Sequence, residues 1–235
     1  HSYISFNLSD FTYSTDIIWD IIKVGLPASL SMIVMAVGQG VFNKILVHIS
    51  VNTVAAYQVA GRLDMLVFLP IFSIAASLTT LVGMFYGAKE YRALRYIIKY
   101  GIFSALLITI ISSTIVYSFA GHVVRFFTDD ASIVIIAVNF LQIFAFAYPF
   151  ISVGITTGRV LQGLGKGLPV LIITIVRVLG VSAPLALFFV LIMDKTVEWV
   201  WYSMMLSTIV AFGIGLTWLI STLKTLPTSG QSLNN

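Results

Sequence analysis

Long apolar runs separated by short polar connections dominate the pattern of this chain. The runs cover residues 24–46, 53–88, 97–120, 131–158, 168–193 and 197–223. They are apolar throughout and do not alternate between apolar and polar residues, which favours helices over the strands of a membrane barrel. A helix of about 20 apolar residues crosses the hydrocarbon core of a bilayer. The pattern therefore predicts an all-α membrane protein, a bundle of six transmembrane helices.

A shorter amphipathic pattern precedes the first run. Its apolar residues recur at helical spacing: Ile17, Ile18, Ile21 and Ile22. This spacing predicts a helix that lies in the headgroup layer, and an ordinary soluble linker helix is the alternative. We accordingly divide the chain into a connecting segment over residues 1–23, a six-helix lobe over residues 24–223 and a tail over residues 224–235.

The composition agrees with a membrane protein. Hydrophobic residues make up 59% of the chain, charged residues only 9%, and the mean hydropathy is +1.02. A soluble domain carries roughly a quarter charged residues. The net charge of +4 does not predict a nucleic-acid partner, because the basic residues are spread over the connections between runs. The chain has no cysteine and begins with His1 instead of Met, which we interpret as a fragment or a processed product.

Lysine and arginine are distributed unevenly between the two sides of the predicted membrane. With a cytoplasmic amino terminus, eight lie on that side: Lys23, Lys89, Arg92, Arg95, Lys99, Arg159, Lys166 and Lys224. The other side holds Lys44, Arg125 and Lys195, and two further arginines are candidates for the membrane interior. The excess predicts that both termini of the chain are cytoplasmic.

Arg62 and Asp64 bring two charges close to the second run. Asp64 lies about 37 Å along a helix from Lys89, slightly more than the hydrocarbon core is thick. We therefore expect both residues at the outer mouth, and their spacing points them to nearly opposite faces. They are candidates for ion coupling or gating, and the alternative is a pair of interfacial charges without a transport role.

Arg177 lies about 14 Å into the fifth run, near the predicted midplane of the membrane. A charge at this depth normally faces a cavity or a partner, which makes it a functional-site hypothesis. No carboxylate occurs between residues 131 and 193. Backbone carbonyls, Asp64, water or a part of the protein outside this chain could be its partner. The alternative is a structural arginine that caps broken helix ends.

Polar and soft apolar side chains form stripes at helical spacing in the first, second, fourth and fifth runs. Amides that faced lipid would lack partners, so we expect these stripes to point inward, either to join helices or to line a passage. A mixture of methionine, phenylalanine and amides suits a loosely selective pocket for amphiphiles. The predicted cavity lining is Met35, Gln39, Asn43, Gln142, Phe146 and Arg177.

Motifs of enzyme active sites are absent from the sequence. Gly158 and Gly163 have the spacing of a phosphate-binding loop, but Leu164 stands where a lysine is required. We therefore predict no enzymatic activity and no cofactor.

Several short motifs resemble those of one transporter family. In chain order they are residues 25–30 (GLPASL), 55–64 (AAYQVAGRLD), 83–88 (GMFYGA), 127–130 (FTDD), 148–149 (YP), 161–165 (LQGLG) and 183–186 (APLA). Their order and spacing resemble the second half of multidrug and toxic compound extrusion (MATE) transporters, over residues 25–223.

The resemblance implies a twelve-helix antiporter built from two six-helix lobes. Such a protein exports cationic or amphiphilic drugs in exchange for H⁺ or Na⁺ by alternating access. This chain would be the carboxy-terminal lobe, its partners would be the amino-terminal lobe, membrane lipid and a small organic cation or amphiphile, and residues 1–23 would connect the lobes on the cytoplasmic side.

Departures from the family pattern concern the coupling ion. Some branches carry coupling carboxylates on the first and fourth helices of this lobe, where this chain has Met35, Gln39, Ile151 and Val153. Their ion site is therefore not expected here, and Asp64 is the remaining candidate in this lobe. Two other functions stay open. One is a related flippase for lipids or lipid-linked oligosaccharides, which a cationic cavity around Arg62 and Arg177 would favour. The other is a half-size membrane scaffold without transport activity.

Overall fold

Six long helices form the part of the chain that the structure, a computed structural model, describes, residues 14–227. They are α1 (Thr15–Ile49), α2 (Val51–Gly87), α3 (Tyr91–Arg125), α4 (Ala131–Gly163), α5 (Leu168–Ile192) and α6 (Val197–Lys224). Each is long and apolar enough to cross a membrane. The predicted all-α six-helix bundle is confirmed. Most of the predicted connecting segment and tail, residues 1–13 and 228–235, lies outside the described part.

The first helix is continuous from Thr15 to Ile49. This differs from the predicted separate amphipathic helix before residue 24, whose isoleucines instead form the exposed first turns of α1. The sequence suggested two elements because an amphipathic pattern up to Lys23 gives way to a continuous apolar run. Pro27 lies inside α1 and cannot donate a backbone hydrogen bond. The helix tolerates that loss, and the hydroxyl of Ser31 donates to the Pro27 carbonyl at 2.8 Å.

The helix α4 is the central element of the bundle. It packs against α2, α3 and α6, and its fully buried residues include Phe140, Leu141 and Tyr148. Asp130 caps its amino terminus by accepting hydrogen bonds from the backbone N–H groups of Ser132 (2.8 Å) and Ile133 (3.3 Å). Aspartate is a favoured residue at this position, because its carboxylate pairs with N–H groups that have no partner inside the helix.

Proline 149 in α4 leaves the carbonyl of Ala145 without its usual helical donor. The hydroxyl of Ser113 in α3 donates to this carbonyl. A hydrogen bond from a neighbouring helix therefore replaces the one that the proline removes, and it joins α3 to α4 in the middle of the bundle.

The helix α5 contains two π-helical segments, Val176–Ser182 and Phe188–Ile192. In the first, the N–H of Ala183 bonds to the carbonyl of Val178, five residues back. The wider turn comes directly before Pro184, which lacks the N–H that a regular helix would use at that position. The fifth span is therefore less regular than the sequence pattern predicts.

The buried core forms three layers along the helices. One end of the bundle holds a large cluster around Trp201, Phe140 and Leu46, and the other end holds a cluster around Val82, Leu94 and Leu161. The middle layer is smaller and contains Phe68, Ile71, Ala105 and Tyr148. Polar groups enter the bundle beside this middle layer.

Candidate functional site

The carboxylate of Asp64 lies in the middle of the bundle. It accepts a hydrogen bond from the hydroxyl of Tyr148, which is fully buried at the centre of α4. The prediction that Asp64 lies at the outer mouth is therefore wrong. That estimate took Lys89 as the membrane boundary, but α2 is 37 residues long, about 55 Å, and extends well beyond one hydrocarbon thickness.

Tyr57 places a second phenolic hydroxyl near this carboxylate. It lies seven residues, about two turns, before Asp64 on the same face of α2. Its ring stacks on Trp201 with centroids 5.8 Å apart and meets Phe140 edge-on at 5.6 Å. Both Asp64 and Arg177 lie close enough to the Tyr57 hydroxyl to interact with it electrostatically. The packed ring therefore keeps its hydroxyl near both charges.

The guanidinium of Arg177 lies in the first π-helical segment of α5 and is half-buried. It makes no side-chain hydrogen bond and no ion pair with any other residue in the range 14–227, Asp64 included. It is the tenth of the 25 residues of α5, and its depth near the midplane of the membrane stays a prediction. The two interior charges are thus neighbours of Tyr57 but not partners of each other.

The contact between Gly38 and Val178 fixes the position of Arg177. A Cβ atom placed on Gly38 would come within 2.2 Å of the Val178 Cγ1 atom, so α1 and α5 approach closely only because residue 38 is glycine. Val178 follows Arg177 directly and packs against α1. The arginine side chain, about 100° further round the helix, is thereby directed away from that contact.

The predicted residues on α1 and α2 share an exposed polar face. Met35 is 50% exposed, and Gln39 and Arg62 are exposed as well. Asn43 is half-buried and accepts a hydrogen bond from the Gln58 amide at 3.3 Å, which connects α1 to α2. Arg62 points away from Asp64, as their spacing predicted. Lipid alone would leave these groups without hydrogen-bond partners.

The other two predicted lining residues lie elsewhere. Gln142 and Phe146 border a crevice of about 350 Å³ between α3, α4 and α6, together with Tyr117, Tyr202 and Met205. Phe146 is about 160° around α4 from Tyr148, which faces Asp64 on α2. The other four predicted residues do not border this crevice. A cavity that all six line together stays a prediction.

Sequence reasoning did not assign a role to Tyr57 and Tyr148, which hold the interior site together. A phenolic hydroxyl inside an apolar run was the available signal, because a buried hydroxyl needs a partner. The fully buried polar atoms that lack a protein partner within residues 14–227 are Ser152 Oγ, Thr157 Oγ1 and Trp201 Nε1. Within the same residues no group of three acidic, histidine or cysteine side chains is placed to hold a metal ion.

Six membrane-length helices with a polar face and interior charges define one lobe of a membrane transporter fold. The model of the MatE family matches residues 27–188, more than half of the chain. The chain belongs to the MatE family, as the sequence resemblance predicted, and it is an integral multi-pass membrane protein.

Known relatives carry multidrug names. The chain is 28% identical over 167 residues to "Probable multidrug resistance protein NorM" of Thermotoga maritima, covering 71% of this chain and 36% of that protein. It is 26% identical over 164 residues to "Multidrug export protein MepA" of Staphylococcus aureus, covering 70% of this chain and 36% of that protein. The chain thus spans well under half the length of these relatives.

Solved structures match over nearly the whole chain. "Crystal structure of MATE in the bent conformation" aligns with a TM-score of 0.88 and 29% identity, covering 96% of this chain and 50% of that one. An outward-facing MATE family transporter aligns with the same TM-score, covering 97% and 51%. The chain corresponds to one half of a twelve-helix transporter, which confirms the predicted fold.

Proposed function

We propose that this chain is the carboxy-terminal lobe of a multidrug efflux transporter. It exports cationic or amphiphilic compounds in exchange for H⁺ or Na⁺ by alternating access, with both termini of the chain in the cytoplasm. The multidrug names of the relatives support the substrate class. The observation that carries the proposal is the exposed polar face of α1 and α2, which needs a second, partly polar surface opposite it and not lipid alone.

Alternating access requires that the two lobes move against each other around a shared gap. This lobe has a polar face that can contact both water and an amphiphilic substrate. The face is formed by Gln39, Asn43 and Arg62. A second lobe packed tightly against the same groups would join the halves rigidly. A polar wall of modest area is compatible with repeated opening and closing.

Asp64 is the residue that we assign to ion coupling. Among the described residues it is the carboxylate in the middle of a membrane-length helix, and the Tyr148 hydroxyl orients it. A carboxylate held in this way can take up and release a proton or a sodium ion, and either event changes the charge beside Arg177 and Tyr57. The charge change is what would favour one state of the transporter over the other.

Reconstituted full-length transporter tests this assignment. Proteoliposomes are loaded with a fluorescent organic cation, and its movement is followed after a pH or sodium gradient is imposed. The variant Asp64→Asn keeps the size of the side chain and should abolish gradient-driven transport. The matched control Asp129→Asn, an exposed acid in the α3–α4 connection, should transport like the unmodified protein. Gradient-driven transport that persists in Asp64→Asn would place coupling in the other lobe.

The flippase hypothesis requires Arg62 and Arg177 in one cationic cavity. Arg62 is exposed on the face of α2 opposite Asp64, whereas Arg177 lies beside Tyr57, and this arrangement favours the antiport proposal. The scaffold hypothesis predicts no transport of any compound in the same proteoliposomes. The gradient experiment therefore separates it from the proposed antiport.

A further inference from the structure

The most unusual charge in the bundle is the one on Arg177. Its guanidinium offers five N–H donors, and none of them bonds to a side chain or backbone group within residues 14–227. An unpaired cation at membrane depth is costly, and such residues normally face a partner, a cavity or water. Something other than the described part of the chain therefore satisfies it.

The nearest candidate within the lobe does not serve as that partner. Asp64 accepts its hydrogen bond from Tyr148 on the α4 side, and it lies beyond ion-pair distance of Arg177. Tyr57 is close enough to both charges to interact with them, and its ring packs on Trp201 and Phe140. The negative and positive groups thus lie near the same ring without forming an ion pair.

The nitrogen atoms of Arg177 are also open to a ligand. Among the residues that the structure describes, the guanidinium does not belong to the fully buried side-chain polar atoms that lack a partner. The side chain is half-buried, so part of its surface adjoins open space. The Gly38–Val178 contact holds the backbone beside it in place.

We propose that the guanidinium of Arg177 binds a carboxylate carried by an amphiphilic substrate; this inference rests on the proposed transport function. Guanidinium and carboxylate groups match in shape and form two parallel charge-assisted hydrogen bonds. The apolar walls of the bundle strengthen such a bond relative to water. A compound with a separate cationic group and a carboxylate therefore fits a lobe that holds opposite charges apart.

Two dyes that differ only at a carboxylate test the proposal. Rhodamine 110 carries the free carboxylate, and rhodamine 123 is its methyl ester. Binding of each is measured by fluorescence anisotropy with the full-length transporter in nanodiscs made from lipid free of fatty acids. The dye is then the only carboxylate added to the protein and its lipid.

The unmodified protein should bind rhodamine 110 at least about tenfold more tightly than rhodamine 123, the range expected for a charge-assisted pair. Arg177→Gln should remove this preference and leave the affinity for rhodamine 123 within about twofold. The control Arg92→Gln removes an exposed arginine on α3 and should keep the preference. No preference in the unmodified protein, or a preference that persists in Arg177→Gln, would overturn the proposal.

A second, conservative variant keeps the proposal testable if Arg177→Gln does not fold. Arg177→Lys keeps the charge but loses the two-pronged geometry, so the preference should fall severalfold without disappearing. An unchanged preference in Arg177→Lys would contradict the proposed bidentate pair, even if Arg177→Gln fails to fold. Gradient-driven transport without a preference would overturn this inference alone. A preference without transport would instead overturn the proposed function.

Discussion

The Tyr148 hydroxyl is the residue-scale feature on which the interior site depends. It is the hydrogen-bond donor that the structure gives to Asp64; Tyr148 is fully buried and Asp64 is half-buried. Removing one partner of such a bond leaves the other without compensation. The hydrogen bond between Tyr148 and Asp64 therefore has a structural role in addition to the proposed role in ion coupling.

The variant Tyr148→Phe should lower the free energy of unfolding by about 1.5–3 kcal/mol, because the carboxylate loses its donor. It should also weaken gradient-driven transport, whereas Tyr96→Phe on the exposed face of α3 should change neither quantity. Thermal unfolding in detergent and the proteoliposome assay measure the two effects. Full stability and full transport in Tyr148→Phe would show that the hydrogen bond has no role in either.

Sequence reasoning located single residues well only where the helix ends were close by. The position of Arg177 along its helix was predictable, because α5 begins at Leu168, the residue from which the count was made. The depth of Asp64 was not, because α2 extends past the apolar layer. The partners Tyr57 and Tyr148 come from other turns and helices, so no local pattern in the sequence could pair them with the charges.

The approach of α1 to α5 is the element-scale feature that positions Arg177. Gly38→Ala would place a Cβ atom 2.2 Å from Val178 Cγ1, and a β-branched side chain cannot easily turn away. We expect a loss of about 1–3 kcal/mol in the free energy of unfolding, as for other overpacked sites.

The control for that variant lies two residues away in the same helix. A Cβ atom on Gly40 meets nothing within 4 Å, so Gly40→Ala should be neutral or should stabilise the helix by up to about 1 kcal/mol. Unfolding midpoints of the two variants in detergent give the comparison. Equal midpoints would contradict the close packing of α1 on α5.

The Ser113–Ala145 hydrogen bond offers a second element-scale test. Ser113→Ala should destabilise the bundle by about 1–3 kcal/mol, because the carbonyl that Pro149 frees then has no donor. Pro149→Ala supplies a backbone N–H for the same carbonyl. The double variant should therefore lose much less stability than Ser113→Ala alone, and strictly additive effects in this cycle would contradict the replacement.

The sequence predicted the number and type of the helices, but not their ends or their internal irregularities. The apolar runs predicted all six helices because membrane-length helices need long apolar segments. The predicted ends stopped where polar side chains begin; the third run was expected over 97–120, but α3 continues from Tyr91 to Arg125. The π-helical segments of α5 depend on how neighbouring helices accommodate an extra residue, which the pattern does not contain.

At the scale of the whole molecule, the lobe presents two kinds of surface. The exposed side of α3 is rich in apolar and aromatic residues: Tyr96, Tyr100, Phe103, Leu107, Ile110, Ile111 and Ile115. The exposed side of α1 and α2 carries Gln39 and Arg62. We interpret the first as facing lipid and the second as facing the other lobe. The sequence indicated polar stripes but could not divide them between the lobe face and the α3–α4–α6 crevice, because that depends on how α4 is rotated.

Labelling of single cysteines in the full-length transporter tests the central claim most directly, since this chain contains no cysteine of its own. Gln39→Cys places the thiol on the polar face, and Phe103→Cys places it on the apolar side of α3, where the native ring is 62% exposed. A water-soluble maleimide should label residue 39 in membranes, substrate should slow that labelling, and residue 103 should stay unlabelled. If the cysteine at residue 39 is as unreactive as the one at residue 103, no gap that solvent can reach lies between the lobes, and the account is contradicted.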